Sequence, residues 1–223
     1  MDPIPETLVL WSDPHILVVN KPPGLLSIPD GYDPSLPHLQ SILEPHFGRL
    51  WIVHRLDRWT SGVVILARDP SAHQHLNTQF QEHTVLKLYH ALVAGRPPWE
   101  DKIIDLPLRP DGDRKHRTVI DPAGGKPAQT ELRVLHRYNT YTLLEATPRT
   151  GRTHQVRAHL SAEGFPVIAD PLYGDPSHPA HHALPRLGLH ASSLSLQHPH
   201  TEEPVHYEPP YPDDFEAALS LRP

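Results

Sequence analysis

The sequence predicts an α+β fold: a mixed, largely antiparallel β-sheet core flanked by helices. Three observations carry that prediction. Short β-type runs occur in pairs around turn residues, as in LVLWSDPHILVVN at residues 8–20, which is how antiparallel hairpins read. Two longer segments, 69–85 and 152–164, carry helical patterning. The strands and helices do not alternate as regular βαβ units, so a parallel doubly wound sheet is not expected.

Taken in order, the first two β runs turn at Ser12–Pro14 and end at Pro22, Pro23 and Gly24, residues that punctuate strands. A proline-rich loop follows, with a short helix at HLQSIL. GVVILAR (62–68) is a strand. In DPSAHQHLNTQFQEHTV, Ser71 is the N-cap candidate, and Leu76 and Phe80 stand four apart on one face. KLYHALVAG alternates as a strand and closes on Gly95 and Pro97. AQTELRVLHRYNTYTLLEATP predicts a hairpin turning at Tyr138–Thr140. RTHQVRAHLSAEG predicts a helix with Gly164 just beyond its end. PVIAD and LHASSLSL are further strands, ahead of a proline-rich acidic tail. There is no internal repeat and no linker, so residues 1–223 are expected to form a single domain.

Composition narrows the function classes. The 28 prolines and 12 glycines are 40 of 223 residues, below the roughly 25–30% that marks low complexity, and they are scattered as turns. Cysteine is absent, which removes disulfides, thiolate nucleophiles and thiolate metal sites. The N-terminal MDPIPETLVLW has no basic leader followed by an apolar stretch, and no apolar run approaches the roughly 18 residues of a membrane helix. A soluble, cytoplasmic protein without membrane contact is expected.

The net charge of −6 argues against a polyanionic partner, but its distribution does not. Residues 202–216 hold six acids and no Lys or Arg; without them the chain has 20 basic and 20 acidic residues. Arg149, Arg152 and Arg157 fall in an acid-free stretch, and RPDGDRKHRT adds Arg109, Arg114, Lys115 and Arg117. Local positive patches matter more to nucleic acid than the total.

Two segments could carry chemistry. In HRLDRWTSGVVILARD (54–69) Asp57 lies between Arg55 and Arg58, just ahead of an apolar strand. A carboxylate acting as nucleophile or base must stay ionised and aimed, and an arginine fork would do both; a turn cap or a solvated ion pair fits the same pattern. In PRTGRTHQVRAH (148–159), Gly151 precedes Arg152, His154 and Arg157 at the start of a helix, a plausible anion site, although an ordinary capped helix with solvated arginines would read the same way. The histidines His178, His181, His182 and His190 raise a metal-dependent hydrolase as an alternative, but they sit in a proline-rich stretch with no HExxH helix. No metal site is expected.

Together the two segments resemble the RluA family of pseudouridine synthases. HRLDRWTSG matches that family's signature, and GRTHQVRAH with GFPVIADPLY matches its second element. ILVVNKPPGLLSIP, GKPAQTELRVL and LHASSLSLQHP are further matches, so the resemblance runs from about Trp11 to Phe215. It implies the pseudouridine synthase catalytic fold and isomerisation of specific uridines in ribosomal and/or transfer RNA, with no cofactor. It implies Asp57 as catalytic aspartate, Arg55 as the arginine that flips and replaces the base, Tyr89 as the tyrosine that stacks on uracil, and Arg152 as the arginine that pairs with the carboxylate. His54, Arg58, Thr60, His154 and Arg157, within the same motifs, are candidate substrate contacts. The family's separate S4-type RNA-binding module is not expected here, nor is a protein partner; the resemblance points to a monomer. A catalytically dead RNA-binding module, the remaining alternative, would be favoured by loss of Asp57, Tyr89 or Arg152, and all three are present.

Overall fold

The computed structural model describes residues 8–220; residues 1–7, part of the segment read for a leader, and 221–223 lie outside the described residues. In chain order the elements are β1 (Val9–Ser12), β2 (Ile16–Lys21), α1 (Leu39–Phe47), β3 (Trp51–Ile52), β4 (Ser61–Ala67), α2 (Pro70–Gln81), β5 (Leu86–Ala94), β6 (Asp101–Asp105), β7 (Leu108–Arg109) and β8 (Val119–Ile120). They continue with β9 (Gln129–Arg137), β10 (Tyr141–Pro148), α3 (Gln155–Ala162), β11 (Leu189–Gln197), β12 (Pro204–Tyr207) and α4 (Asp213–Ser220). Contacts divide the chain into two compact units, residues 1–87 with 191–210 and residues 88–190 with 211–223.

The first unit is built on β1, β2, β4 and β11, neighbours in that order, with β3 also on β4 and β12 on β11. Asp13 closes the β1–β2 turn by accepting the N–H groups of His15 and Ile16 at 2.7 and 2.9 Å. β2 runs antiparallel to β4 from Ile16 opposite Ala67 to Lys21 opposite Gly62. Every residue of β4 is buried, which is why SGVVILA reads as a continuous apolar run instead of an alternating one. Gly62 must be glycine: its φ is +116°, and a Cβ there would stand 2.3 Å from the Ala191 carbonyl oxygen.

The second unit carries the antiparallel order β5, β10, β9, β6, with α3 against β9 and β10. Period-two alternation divides β5: Ala91 and Val93 enter a core with Leu144, Ala146 and Leu160, and Tyr89 packs at its edge. Leu92 and Ala94 enter another core with Tyr141, Leu143 and Phe215. The mixed, largely antiparallel sheet core flanked by helices is as the sequence predicts.

Several local expectations are corrected. Asp69, not Ser71, caps α2: its extended backbone lets the carboxylate accept the Ala72 N–H at 2.9 Å, with Pro70 at the first helical position. PVIAD is no strand. Val167 makes a single bridge to Val93, and then Ala169 takes a left-handed φ of +52° that turns the chain away. The helix reaching Gly164 begins at Gln155, because His154 is itself left-handed at φ +53°. The acidic tail holds β12 and α4, neither of which its composition announces. α4 gathers Asp213, Asp214 and Glu216 in its first turn, where a helix dipole favours anions. Asp214 accepts two hydrogen bonds from Arg186 at 2.8 Å each, and Phe215 is fully buried.

Candidate active site

Asp57 lies in the segment between β3 and β4, and the chain on either side of it is pinned. The Asp57 carbonyl accepts the Thr60 N–H at 3.1 Å, closing a turn with Arg58 and Trp59 at its tip. One residue earlier, buried Ser27 grips Leu56 twice, its Oγ donating to the Leu56 carbonyl at 2.9 Å and accepting the Leu56 N–H at 3.1 Å. One residue later, the Arg58 carbonyl accepts the Gly24 N–H at 2.8 Å and Lys21 Nζ at 3.1 Å. Lys21 has no solvent exposure, and its ammonium also donates to the Pro22 and Leu25 carbonyls at 3.0 and 2.8 Å. The KPPGLLS segment, residues 21–27, is therefore a clamp on the backbone around a half-buried carboxylate. Sequence reasoning quoted this segment as a motif and gave Lys21 and Ser27 no role. The available signal was a lysine closing the apolar run ILVVN.

The other candidates in this unit separate by burial. Arg55 is exposed. Arg58 is exposed, donates Nε to the Gly24 carbonyl at 3.1 Å, and lies 5.5 Å from the Trp59 ring centre. His54, a sequence candidate for substrate contact, supports the backbone here. Its Nε2 accepts the Ile65 N–H at 3.0 Å, continuing the β4 edge where β3 ends, and its ring stacks on Phe80 at 4.7 Å. Burial, assisted by the Lys87 charge, lowers its pKa to about 3, so it is neutral and offers no charge to a phosphate. Thr60, another such candidate, is 2% exposed with its hydroxyl enclosed, and its N–H serves the turn.

The half-buried His54 makes stability pH-dependent. Its folded pKa lies below the ordinary histidine value of 6.5, so between about pH 6.5 and 3 the unfolded chain binds the extra proton. Stability is complete above that window and falls as pH is lowered through it, by up to about 1.4 kcal/mol per pH unit. His54→Gln retains an acceptor for the Ile65 N–H and cannot titrate. Urea unfolding at pH 6.5, 5.5 and 4.5 should give a slope of stability against pH shallower by about one proton in the variant. Equal slopes would mean that His54 is not the group responsible.

In the second unit, Tyr89 lies on β5 opposite Ala146, half-buried. Arg152 and His154 lie on the lead-in to α3, and buried Gln155 holds that lead-in. Its Oε1 accepts Thr150 Oγ1 at 2.7 Å and the Arg152 N–H at 3.0 Å; its Nε2 donates to the Gln129 carbonyl and Thr130 Oγ1 at 2.8 and 3.0 Å. Arg152 donates Nε to the Pro127 carbonyl at 3.0 Å, and His154 Nδ1 meets the Tyr173 hydroxyl at 3.2 Å. Gln155 is a second positioning residue that sequence reasoning missed. Arg157, a sequence candidate for substrate contact, forks onto Asp170 at 2.7 and 2.8 Å with 5% side-chain exposure, a buried ion pair.

The fold also pairs several arginines of the basic stretches with acids. Arg149 forks onto Glu131 at 2.7 Å through both nitrogens. Arg109 pairs with Asp121 at 2.6 Å and Arg117 with Asp113 at 2.7 Å. Of the four histidines of the proline-rich stretch, His178 caps a 3₁₀ turn at Ala180, His181 and His182 meet edge to face, and His190 is buried beside Tyr211 and Phe215. Among the described residues no group of three or more His, Cys, Asp or Glu is arranged to hold a metal ion, and no helix is long and apolar enough to cross a membrane.

A clamped aspartate thus stands ahead of a buried strand in a chain with a mixed, largely antiparallel core. The family described as RNA pseudouridylate synthase matches residues 15–162. The chain is 37% identical to the ribosomal large subunit pseudouridine synthase C of Vibrio vulnificus, over 97% of this chain and 70% of that protein. It is 38% identical to the dual-specificity RNA pseudouridine synthase RluA of Yersinia pestis, over 90% of this chain and 97% of that protein. Among solved structures, the human RNA pseudouridylate synthase domain containing 4 superposes with a TM-score of 0.77 at 25% identity, covering 95% of this chain and 91% of that one. The chain belongs to the RNA pseudouridylate synthase family.

Proposed function

We propose that this chain isomerises particular uridines of ribosomal and/or transfer RNA to pseudouridine, acting in the cytoplasm as a monomer and a single catalytic domain. The observation that carries this reading is the clamp on Asp57. Ser27 and Lys21 immobilise the residues before and after it, so its carboxylate is aimed before substrate arrives. The target nucleotide must leave its stack to reach such a group. The N1–C1′ bond of uridine then breaks, the freed uracil turns, C5 bonds to C1′, and the proton lost from C5 is balanced by one gained at N1. Atoms and electrons balance within the substrate, so the reaction needs no cofactor. Asp57 is the catalytic carboxylate, Tyr89 supports the uracil ring, and Arg152 supplies the arginine that the carboxylate requires. Arg55, exposed and unclamped by its neighbours' bonds, is suited to fill the space the base leaves. Arg58 and His154 contact the surrounding RNA.

The test uses RNA from cells in which the gene is deleted. Incubated with purified protein, that RNA should regain pseudouridine at one or a few positions, read by sequence mapping and by tritium release from 5-tritiated uridine. If neither ribosomal nor transfer RNA gains a pseudouridine, the proposal fails.

A further inference from the structure

We propose that Arg58 and Trp59 form a rigid stacking platform for an unpaired RNA base next to the uridine held at Asp57. The inference rests on the proposed function and adds a substrate-recognition residue to it. Arg58 and Trp59 are the two central residues of the turn whose first residue is Asp57, so their side chains leave the chain within a turn's width of the carboxylate. Trp59 is 45% exposed, an uncommon state for so large an apolar ring. Trp11, the other strongly exposed tryptophan, is tied by its Nε1 to Asp13 at 2.8 Å; among the described residues Trp59 has no such tie.

The ring is nonetheless not loose. Its six-membered edge lies over Gly24, where a Cβ would meet it at 3.4 Å, and the turn beneath is fixed by three bonds: Gly24 N–H to the Arg58 carbonyl, Arg58 Nε to the Gly24 carbonyl, and Lys21 Nζ to the Arg58 carbonyl. Gly24, at φ +87°, is the residue that permits this close backing. The Arg58 guanidinium lies 5.5 Å from the ring centre, within cation–π reach, and exposed Arg55 stands on the other side of Asp57. Asp30 faces Arg58 closely enough to feel its charge, although its carboxyl is held low chiefly by the Tyr32 and Asp33 N–H groups. An apolar π-face packed on Gly24, with the Arg58 guanidinium beside the ring, matches a nucleobase and its phosphate. Ordering costs little here because the turn is already fixed.

The platform is tested with unmodified RNA from the deletion cells, comparing parent, Trp59→Ala and Trp59→Phe. Base stacking on an aromatic ring supports about a tenfold rise in KM and Kd for Trp59→Ala, with a much smaller fall in kcat and an unchanged unfolding midpoint. Trp59→Phe should recover most of the loss. RNA should quench parent tryptophan fluorescence, and the quench should vanish in Trp59→Phe. If Trp59→Ala keeps the parental KM and the quench persists without Trp59, the platform is refuted. A variant that loses kcat and stability together, at constant Kd, refutes it equally by showing a structural role. Absence of turnover by the parent would overturn the synthase reading instead, and the quench still decides whether Trp59 meets RNA.

Discussion

Replacing Asp57 by asparagine should abolish pseudouridine formation, lowering turnover by about 10⁴-fold or more, while RNA affinity changes less than threefold. The amide keeps the carboxylate's shape and loses its charge, basicity and nucleophilicity together. Backbone bonds hold the turn: they come from the Asp57 carbonyl, from Ser27 to Leu56, and from Gly24 and Lys21 to the Arg58 carbonyl. Unfolding stability should therefore stay within roughly 0.5–1 kcal/mol of the parent. Tritium release measures the first quantity, filter binding the second and urea unfolding the third. Retention of activity within tenfold of the parent would falsify the assignment of Asp57.

What could be read before the structure depended on whether a residue's partner was local in sequence. The β1–β2 and β9–β10 hairpins, the helix ending before Gly164 and the buried strand β4 were legible because periodicity and turn residues act over a few positions. Catalytic candidates were legible because their motifs are contiguous. The misreadings share one cause. Arg149 and Arg157 looked unopposed along the chain, yet Glu131 and Asp170, 18 and 13 residues away, neutralise them. Thr60 carried a motif position but is buried within the turn, and half-buried His54 spends its Nε2 on the Ile65 N–H and its ring on Phe80. α4 was hidden for the same reason: its acids suggested a solvated tail, whereas Arg186 and a buried Phe215 anchor it. Gln155 shows the converse. A polar residue whose bonds to Thr150 and Arg152 are completed by Gln129 and Thr130, 25 and more residues away, cannot be recognised from its neighbours.

Lys21→Met is the second large effect expected, and it separates the clamp from ordinary core packing. Methionine fills a similar volume without donors, so the Pro22 and Leu25 carbonyls lose the ammonium contact, and the Arg58 carbonyl keeps only the Gly24 N–H. Leaving buried acceptors short of partners should cost about 2–4 kcal/mol, read as a lower urea midpoint at neutral pH. Arginine should not substitute, because a planar guanidinium cannot occupy a site shaped for a compact ammonium with no solvent exposure. The kinetic consequence is the sharper one. Arg58 follows Asp57 directly, so a turn that relaxes by about 1 Å carries the carboxylate off line and should lower kcat by about 10²-fold, with KM little changed. A control is available in Leu43→Ala on α1, where a fully buried side chain that makes none of the clamp's hydrogen bonds is removed. That truncation should cost a comparable amount, roughly 2–5 kcal/mol, and leave kcat at the parental value when assayed well below its unfolding midpoint. If Lys21→Met and Leu43→Ala lose stability alike and both keep kcat, Lys21 is a core residue only, and the aim of Asp57 must be set by something other than the KPPGLLS segment.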